Sequence, residues 1–438
     1  MSHARITTNA SAPTSTLFRP QGKSARDLIA VNAGNSLEWY DWTIYTIFAT
    51  AFAGQFFPSE DKAASLLAAL AVFAVGFITR PIGGWVFGRY ADRKGRKASL
   101  TLAMTITALG SLAIALAPSY DIIGVGASVL LLVVRLVQGL AHGGEMGTAV
   151  TYLVERAPAG RRALWGSTSW VSVFVGTILA TLTGLLINSL FTLEEVSEWA
   201  WRIPFAVGGL LGLYALWLRR RIHETANTQS VPVVSEQRGS VWSRLKPHMR
   251  GVLVVMGLSA GGSIMFYTWV IYTPTQAAIS RGQDPSSALV ASLLAQVILL
   301  IALPLLGMLS DRVGRKPLII TFAAGFMLLV FPLDGLVDGT FWGLFLAMTG
   351  ALLLIACLFA VNGAVWAEVF PTAVRAAGVA APLSIATAVF GGTAPYLNQY
   401  FTALGQRNLF LWYLVAVAAV TLVTALLTKE TKDVPLDR

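Results

Sequence analysis

Charge is scarce in this chain: 12% of its 438 residues are Asp, Glu, Lys or Arg, against 55% hydrophobic residues. So little polar surface cannot cover a soluble globule of this length, which excludes a water-soluble enzyme and implies an integral membrane protein. Cysteine is almost absent as well. Cys357 stands alone, so no disulfide framework and no Cys-rich metal centre can form. The sequence has no metal-ligand spacing, no nucleophile elbow and no phosphate loop, so neither a metal nor a cofactor nor an enzymatic activity is expected.

Long apolar runs take the place of what is missing. Crossing ~30 Å of hydrocarbon takes roughly 20 helical residues, and twelve runs of that kind lie between 28 and 428. Backbone groups in lipid must be satisfied within their own segment, so each run is expected to be a helix. The first run is too long and too polar for a cleaved signal peptide, and the Ser/Thr-rich stretch 1–27 before it reads as a flexible cytoplasmic tail.

The formal net charge of +10 invites a nucleic-acid partner until each cation is placed on this topology. With the N-terminus inside, the outer loops hold only Lys62, Arg202, Arg281 and Arg407, and Arg80 and Arg135 lie within helices. All the rest fall on one side, which by the positive-inside rule is the cytoplasm and holds both termini. The basicity therefore reflects topology, with anionic lipid headgroups as the partner and no nucleic acid.

The chain also repeats itself. GRYADRKGRK at 88–97 returns as GMLSDRVGRK at 307–316, and Glu155, Pro158 and Arg162 are echoed by Glu368, Pro371 and Arg375. Trp42-Thr-Ile-Tyr45-Thr in the first helix is matched by Trp269-Val-Ile-Tyr272-Thr in the seventh. The expected organisation is two six-helix bundles, 28–218 and 250–428, joined by a polar linker at 219–249 and followed by a short tail at 429–438.

These residues resemble the major facilitator superfamily, whose hallmark G-x-x-x-D-R-x-G-R-K is met by Gly88, Asp92, Arg93, Gly95, Arg96 and Lys97 and again by Gly307, Asp311, Arg312, Gly314, Arg315 and Lys316. The resemblance implies an all-α membrane protein of twelve helices in two pseudo-symmetric halves, with a substrate site between the halves and alternating access. Gly34-Asn-Ser-Leu-Glu-Trp-Tyr-Asp41, Arg80-Pro-Ile-Gly-Gly-Trp85, Arg135-Leu-Val-Gln-Gly139, Gly143-Gly-Glu145 and Trp201-Arg-Ile-Pro-Phe205 are similar to the metabolite:proton symporters. Phe266-Tyr-Thr268 with Tyr272, and Phe390-Gly-Gly392, resemble the branch that carries alpha-ketoglutarate, whereas Pro395 stands where that branch is expected to have an acidic residue.

An ionisable group at mid-membrane is costly, so each one is a functional candidate. Asn35, Glu38, Asp41 and Tyr45 fall within about 120° around helix 1, and Arg135, Gln138, His142 and Glu145 within about 80° around helix 4. Asp41, Glu38 and Glu145 are the expected proton-coupling acids. At ~1.5 Å per residue Arg80 lies at the depth of Glu38 and Asp41, so Arg80 is expected to pair with them. Arg80 and Arg135 are the expected carboxylate-binding cations, since guanidinium binds carboxylate bidentately. Tyr45, Gln138, Tyr272, Gln276, Asn362 and Tyr396 complete the expected substrate site. Asp92, Arg93, Arg96, Asp311, Arg312 and Arg315, with Glu155, Arg162, Glu368 and Arg375, are the expected gate between the halves.

The resemblance implies a proton-coupled importer of a small organic acid, most simply an alpha-ketoglutarate-like dicarboxylate, acting as a monomer in a bacterial inner membrane. A betaine or proline symporter shares the signatures of helices 1 and 2, but osmosensing members carry a long helical tail that is not seen after helix 12. Citrate, shikimate or an aromatic acid would need only small changes in the pocket. A drug:proton antiporter is expected to show Gly-Pro in helix 5, and 166–190 contains no proline.

Overall fold

The computed structural model describes residues 24–94, 96–143, 146–158, 160–221 and 245–436, and every regular element among them is helical. Residues 1–23 of the tail, most of the linker and Glu145 lie outside the described residues. The side chains of Asp92 and Arg96 do too.

Twelve crossings follow in chain order. The first bundle holds α1 (Ser24–Phe56), α2 (Lys62–Ile78 continued by Arg80–Lys94), α3 (Arg96–Ala115), α4 (Val125–His142 continued by Met146–Glu155), α5 (Arg162–Leu190) and α6 (Arg202–Arg221). The second holds α7 (Met249–Met265, Phe266–Tyr272 and Thr273–Arg281), α8 (Pro285–Val313), α9 (Lys316–Leu336), α10 (Phe341–Glu368), α11 (Arg375–Ala386, Thr387–Gly391 and Ala394–Ala403) and α12 (Arg407–Leu427). Ten of these are long and apolar enough to cross a membrane, and Leu193–Ala200 with the start of α6 makes an eleventh crossing bent by 49°. At 33 residues α1 is long enough to be the twelfth. Its apolarity falls short because its middle carries Glu38, Asp41 and Thr43, all buried inside the protein rather than facing lipid.

Burial sorts the helices into an inner and an outer set. In α7, 89% of the apolar window is enclosed by protein, whereas in α3 the share is 33%. α7 is therefore central and α3 peripheral. Across the interface α5 runs along α8 and α10, α2 lies against α11, and the middle of α7 meets α1.

Two local departures from regular helix position the site. In α7 the seven residues Phe266–Tyr272 are wound as a π-helix. Pro274, just beyond, lacks an N–H and cannot continue a regular ladder, and the wider turn lets the Thr273 N–H reach Thr268 O instead. The first regular run of α4 ends at His142. There it is pressed against α2 so closely that a Cβ at Gly139 would lie 1.9 Å from Gly76 O, and one at Gly83 would lie 2.0 Å from Leu140 O. Glycine at the contact lets two backbones meet, a packing that membrane helices favour because lipid gives them no hydrophobic drive to associate. Thr79 fastens the same contact by donating its hydroxyl to Leu136 O at 3.0 Å.

Candidate functional site

The polar stripe of α1 meets the polar stripe of α4, in the order that helical periodicity requires. Asp41 Oδ2 accepts from Arg135 Nη1 at 2.9 Å and from Gln138 Nε2 at 3.2 Å. Ser111 of α3 donates its hydroxyl to Asp41 Oδ1. One turn away, His142 Nδ1 lies against the Glu38 carboxylate, and the imidazole is set edge-on to Trp39, 5.8 Å between ring centres. Arg135 is wholly buried, with its guanidinium 4.1 Å above the Tyr45 ring. Tyr45 donates its hydroxyl to Ala69 O and so does not reach the acids.

The expected pairing of Arg80 with Asp41 is corrected by this geometry. The cation of Asp41 is Arg135, while the Arg80 guanidinium lies 3.7 Å over Phe77 and 4.4 Å over Trp42. The close contact between α2 and α4 separates the two arginines in depth, since a Cβ at Gly143 would meet Arg80 O while one at Gly76 would meet Arg135 O. Glu38 and the Tyr267 hydroxyl are the opposing groups that act on Arg80. The Tyr267 hydroxyl faces Arg80, and beyond it Arg80 Nε and Nη2, like Nε and Nη2 of Arg135, have no hydrogen-bond partner among the described residues. A buried guanidinium with free donors is a site for an anion.

Tyr267 is a residue that sequence reasoning missed. It belongs to α7, the second bundle, yet its ring lies 5.1 Å from Phe77 and 6.2 Å from Trp39 of the first. Its position in the Phe266-Tyr-Thr268 stretch was visible, but the π turn that aims it at Arg80 was not. Beside it a narrow cavity between the bundles is lined by Trp39, Ser259, Tyr267, Asn362, Trp366 and Thr387 among others. Trp39 Nε1, Ser259 Oγ and Trp366 Nε1 are buried there without partners among the described residues.

The other expected substrate residues are distributed more widely. Asn362 lines the cavity and accepts from Trp170 Nε1 of the opposite bundle at 2.9 Å. Tyr272 donates to Gln399 Oε1 at 2.8 Å. Gln276 accepts from Asn398, which in turn accepts from Arg407 at 2.9 Å. Arg407 also pairs with Asp334, so this set forms a tie at the far end of the second bundle. Tyr396 is half-buried and stacks on the exposed Tyr400, apart from the arginines.

At the end of the molecule that carries the two decapeptides the halves are locked together. Asp311 accepts from the N–H groups of Ala163 and Leu164 at 3.0 Å each, where the positive end of the α5 dipole meets it, and from Arg315 at 2.8 Å. Arg375 reaches Glu155 at 2.6 Å, and Glu368 receives Arg315 at 3.2 Å and Arg162 at 3.5 Å. Arg93 and Arg312 are exposed. Residues 429–436, expected as a plain tail, pack into this seam: Arg162 donates to Val434 O, Arg375 to Leu436 O, and Thr431 to Glu368. Glu430 accepts from the backbone of Arg315, Lys316, Thr431 and Lys432. Burial alone would raise its pKa, yet these four N–H groups hold the carboxyl below the ordinary glutamate value.

Comparison with known proteins agrees with the architecture. The sequence model of the family described as "Sugar (and other) transporter" matches residues 27–227 and 221–438. The alpha-ketoglutarate permease of Escherichia coli (strain K12) is 35% identical over 402 residues, 91% of this chain and 92% of that protein. The proline/betaine transporter of the same strain is 31% identical over 430 residues, 95% of this chain and 85% of that one. Among solved structures, the proton:xylose symporter XylE of the major facilitator superfamily, bound to 6-bromo-6-deoxy-D-glucose, superposes with a TM-score of 0.72 at 20% identity, covering 93% of this chain and 96% of that one.

Proposed function

The chain belongs to the sugar (and other) transporter family of the major facilitator superfamily, and we propose that within it the protein is a proton-coupled symporter of a small organic acid, an alpha-ketoglutarate-like dicarboxylate. The observation that carries this reading is the division of labour between two buried arginines. Arg135 gives Nη1 to the Asp41 carboxylate, whereas Arg80 has no carboxylate within ion-pair distance among the described residues and faces the seam between the bundles; Nε and Nη2 are without hydrogen-bond partners there on both. One substrate carboxylate takes Arg80 and the Tyr267 hydroxyl, and the remainder of the anion is received by the neutral donors Trp39, Ser259 and Trp366. Glu38 then loses much of the stabilisation that Arg80 gives it and takes up a proton, so anion and proton are carried together. Asp41 is the second acid of the set. The 35% identity to an alpha-ketoglutarate permease over 91% of the chain supports the substrate class.

The locked end, rich in Lys and Arg, is the cytoplasmic one by the positive-inside rule, with both termini inside and the protein a monomer in a bacterial inner membrane. Asp311, Arg315, Glu368, Arg162, Glu155 and Arg375 form the inner gate. In proteoliposomes, labelled alpha-ketoglutarate is expected to accumulate under an inward proton gradient and to stop when a protonophore is added. Accumulation of labelled glycine betaine or proline instead, with alpha-ketoglutarate and citrate excluded, would assign the protein to the osmolyte carriers.

A further inference from the structure

We propose that protons pass between the solution at the basic end and the acids Asp41 and Glu38 through a crevice between α1, α3 and α6, apart from the seam through which the substrate moves. The inference rests on the symport reading above and adds the route.

Two cavities flank α1 on opposite sides. The one toward the second bundle takes Trp39 into its wall. The other takes Glu38 and Asp41, and all of its remaining lining comes from α1, α3 and α6. At 100° per residue Asp41 lies about 160° around the helix from Trp39, so the two spaces cannot share a face of α1. The crevice follows α3 from Ala103 to Ser111, about 12 Å of depth at ~1.5 Å per residue, and its shallow end is the one nearer the basic loops. Thr107 and Ser111 supply hydroxyls along it, and Ser111 already donates to Asp41. The Glu38 side chain keeps 10% of its surface exposed, against 2% for Asp41.

The remaining wall is small. α6 contributes only Gly208 and Gly212 to it, and a Cβ at Gly212 would stand 2.8 Å from Ala108 Cβ. Among the described residues the other charged or titratable groups that face these acids are Tyr40 on α1, Arg80 on α2, Arg135 and His142 on α4, and Tyr267 on α7, and none of them belongs to the inner gate. A proton leaving Asp41 or Glu38 by the crevice therefore crosses no residue of the inner gate, and the acids stay in exchange with that solution while Asp311, Glu155 and their partners hold the seam shut. A cavity of this kind filled with water relays protons and excludes a dicarboxylate by size.

The test uses the full chain with Cys357→Ser and Thr107→Cys, reconstituted in vesicles. A charged, water-borne methanethiosulfonate is expected to modify the new thiol; a thiol that never reacts overturns the proposal whatever the substrate. A benzyl methanethiosulfonate adduct is then compared with the unmodified variant in two assays with labelled alpha-ketoglutarate. Exchange of labelled for unlabelled acid without a gradient needs no proton release and is expected to persist, while accumulation under a proton gradient is expected to fall about tenfold or more. Undiminished accumulation in the adduct, or parallel loss of both activities, overturns the separate route. Failure of the Cys357→Ser parent, whose crevice is intact, to accumulate the acid counts against the symport reading instead, and the crevice then stands or falls on the thiol reaction.

Discussion

Arg135 Nη1 lies 2.9 Å from Asp41 Oδ2, a cation of α4 closed onto an acid of α1 with neither side chain more than 2% exposed. The pair carries no net charge, so it can stay inside the membrane at modest cost, and removing one partner strands the other. Arg135→Ala is expected to destabilise the protein by about 3 to 5 kcal/mol, read as a large drop in melting temperature in detergent. Adding Asp41→Asn to it should recover most of that loss. A double variant no more stable than Arg135→Ala alone would show that the pair is not what the stability depends on.

Transport separates the roles of the same two residues. Asn at position 41 keeps the hydrogen-bonding shape and mimics a protonated acid, so Asp41→Asn should exchange labelled for unlabelled alpha-ketoglutarate across a vesicle membrane and yet fail to concentrate it under a pH gradient. Undiminished uphill uptake would leave the coupling proton with Glu38 alone, whose variant Glu38→Gln is then put through the same pair of assays.

Arg80 offers a sharper test of substrate recognition, because its guanidinium lies 3.7 Å over the Phe77 ring and 4.4 Å over that of Trp42. Lysine keeps the charge but has neither the stacking plane nor the fork of donors. Arg80→Lys is expected to weaken alpha-ketoglutarate binding by about tenfold or more, roughly 1.4 kcal/mol, by calorimetry. Unchanged affinity would remove Arg80 from the site.

The twelve helices were legible in the apolar runs and their doubling in the repeated decapeptides, because both are one-dimensional properties of a chain in lipid. The stripes of α1 and α4 were legible too, since 3.6 residues per turn assigns Glu38, Asp41, Arg135, Gln138 and His142 to faces. What could not be read was the offset between helices. A Cβ at Gly143 would meet Arg80 O, so Arg80 sits at the level of Gly143, eight residues and roughly 12 Å along α4 from Arg135, and Asp41 meets the arginine at its own level. Tyr267 escaped for a related reason: a regular helix and a π turn point the same residue in different directions. The packing of 429–436 was hidden because Val434 and Leu436 engage the arginines through their own main-chain oxygens, which leave no signature in residue type.

Asp311 is the residue of the seam whose role is best isolated, since both its oxygens are used on the first N–H groups of α5. An amide offers one accepting oxygen and no charge, so Asp311→Asn should loosen the closed end without touching the ligand site. Spin labels placed on the two bundles at that end should report a larger population of long distances, with alpha-ketoglutarate affinity changed by less than about threefold, roughly 0.6 kcal/mol. Loss of binding as complete as the loss of transport would contradict a purely gating role.

Glu430 gives the seam a dependence on pH whose sign follows from its surroundings. Gly314, at φ +103°, leaves room that a side chain would take, for a Cβ there would stand 2.6 Å from Glu430 Oε2. The carboxylate settles in that space and caps the start of α9 through Arg315 N at 2.9 Å and Lys316 N at 3.1 Å. Its folded pKa is depressed below the ordinary value of 4.5, so the stability it contributes is fully present above that value and is lost as pH falls through the folded pKa. Glu430→Gln leaves an acceptor but removes the charge from the helix N-terminus, an N-cap change worth about 1 kcal/mol. The variant is therefore expected to melt lower than the parent at pH 7 by a gap that stays constant down to about pH 5 and narrows below the ordinary glutamate range. Melting curves collected between pH 3.5 and pH 7 measure that gap directly, and a gap that widened on acidification would mean that Glu430 is held in its protonated form, its carboxyl turned from acceptor to donor.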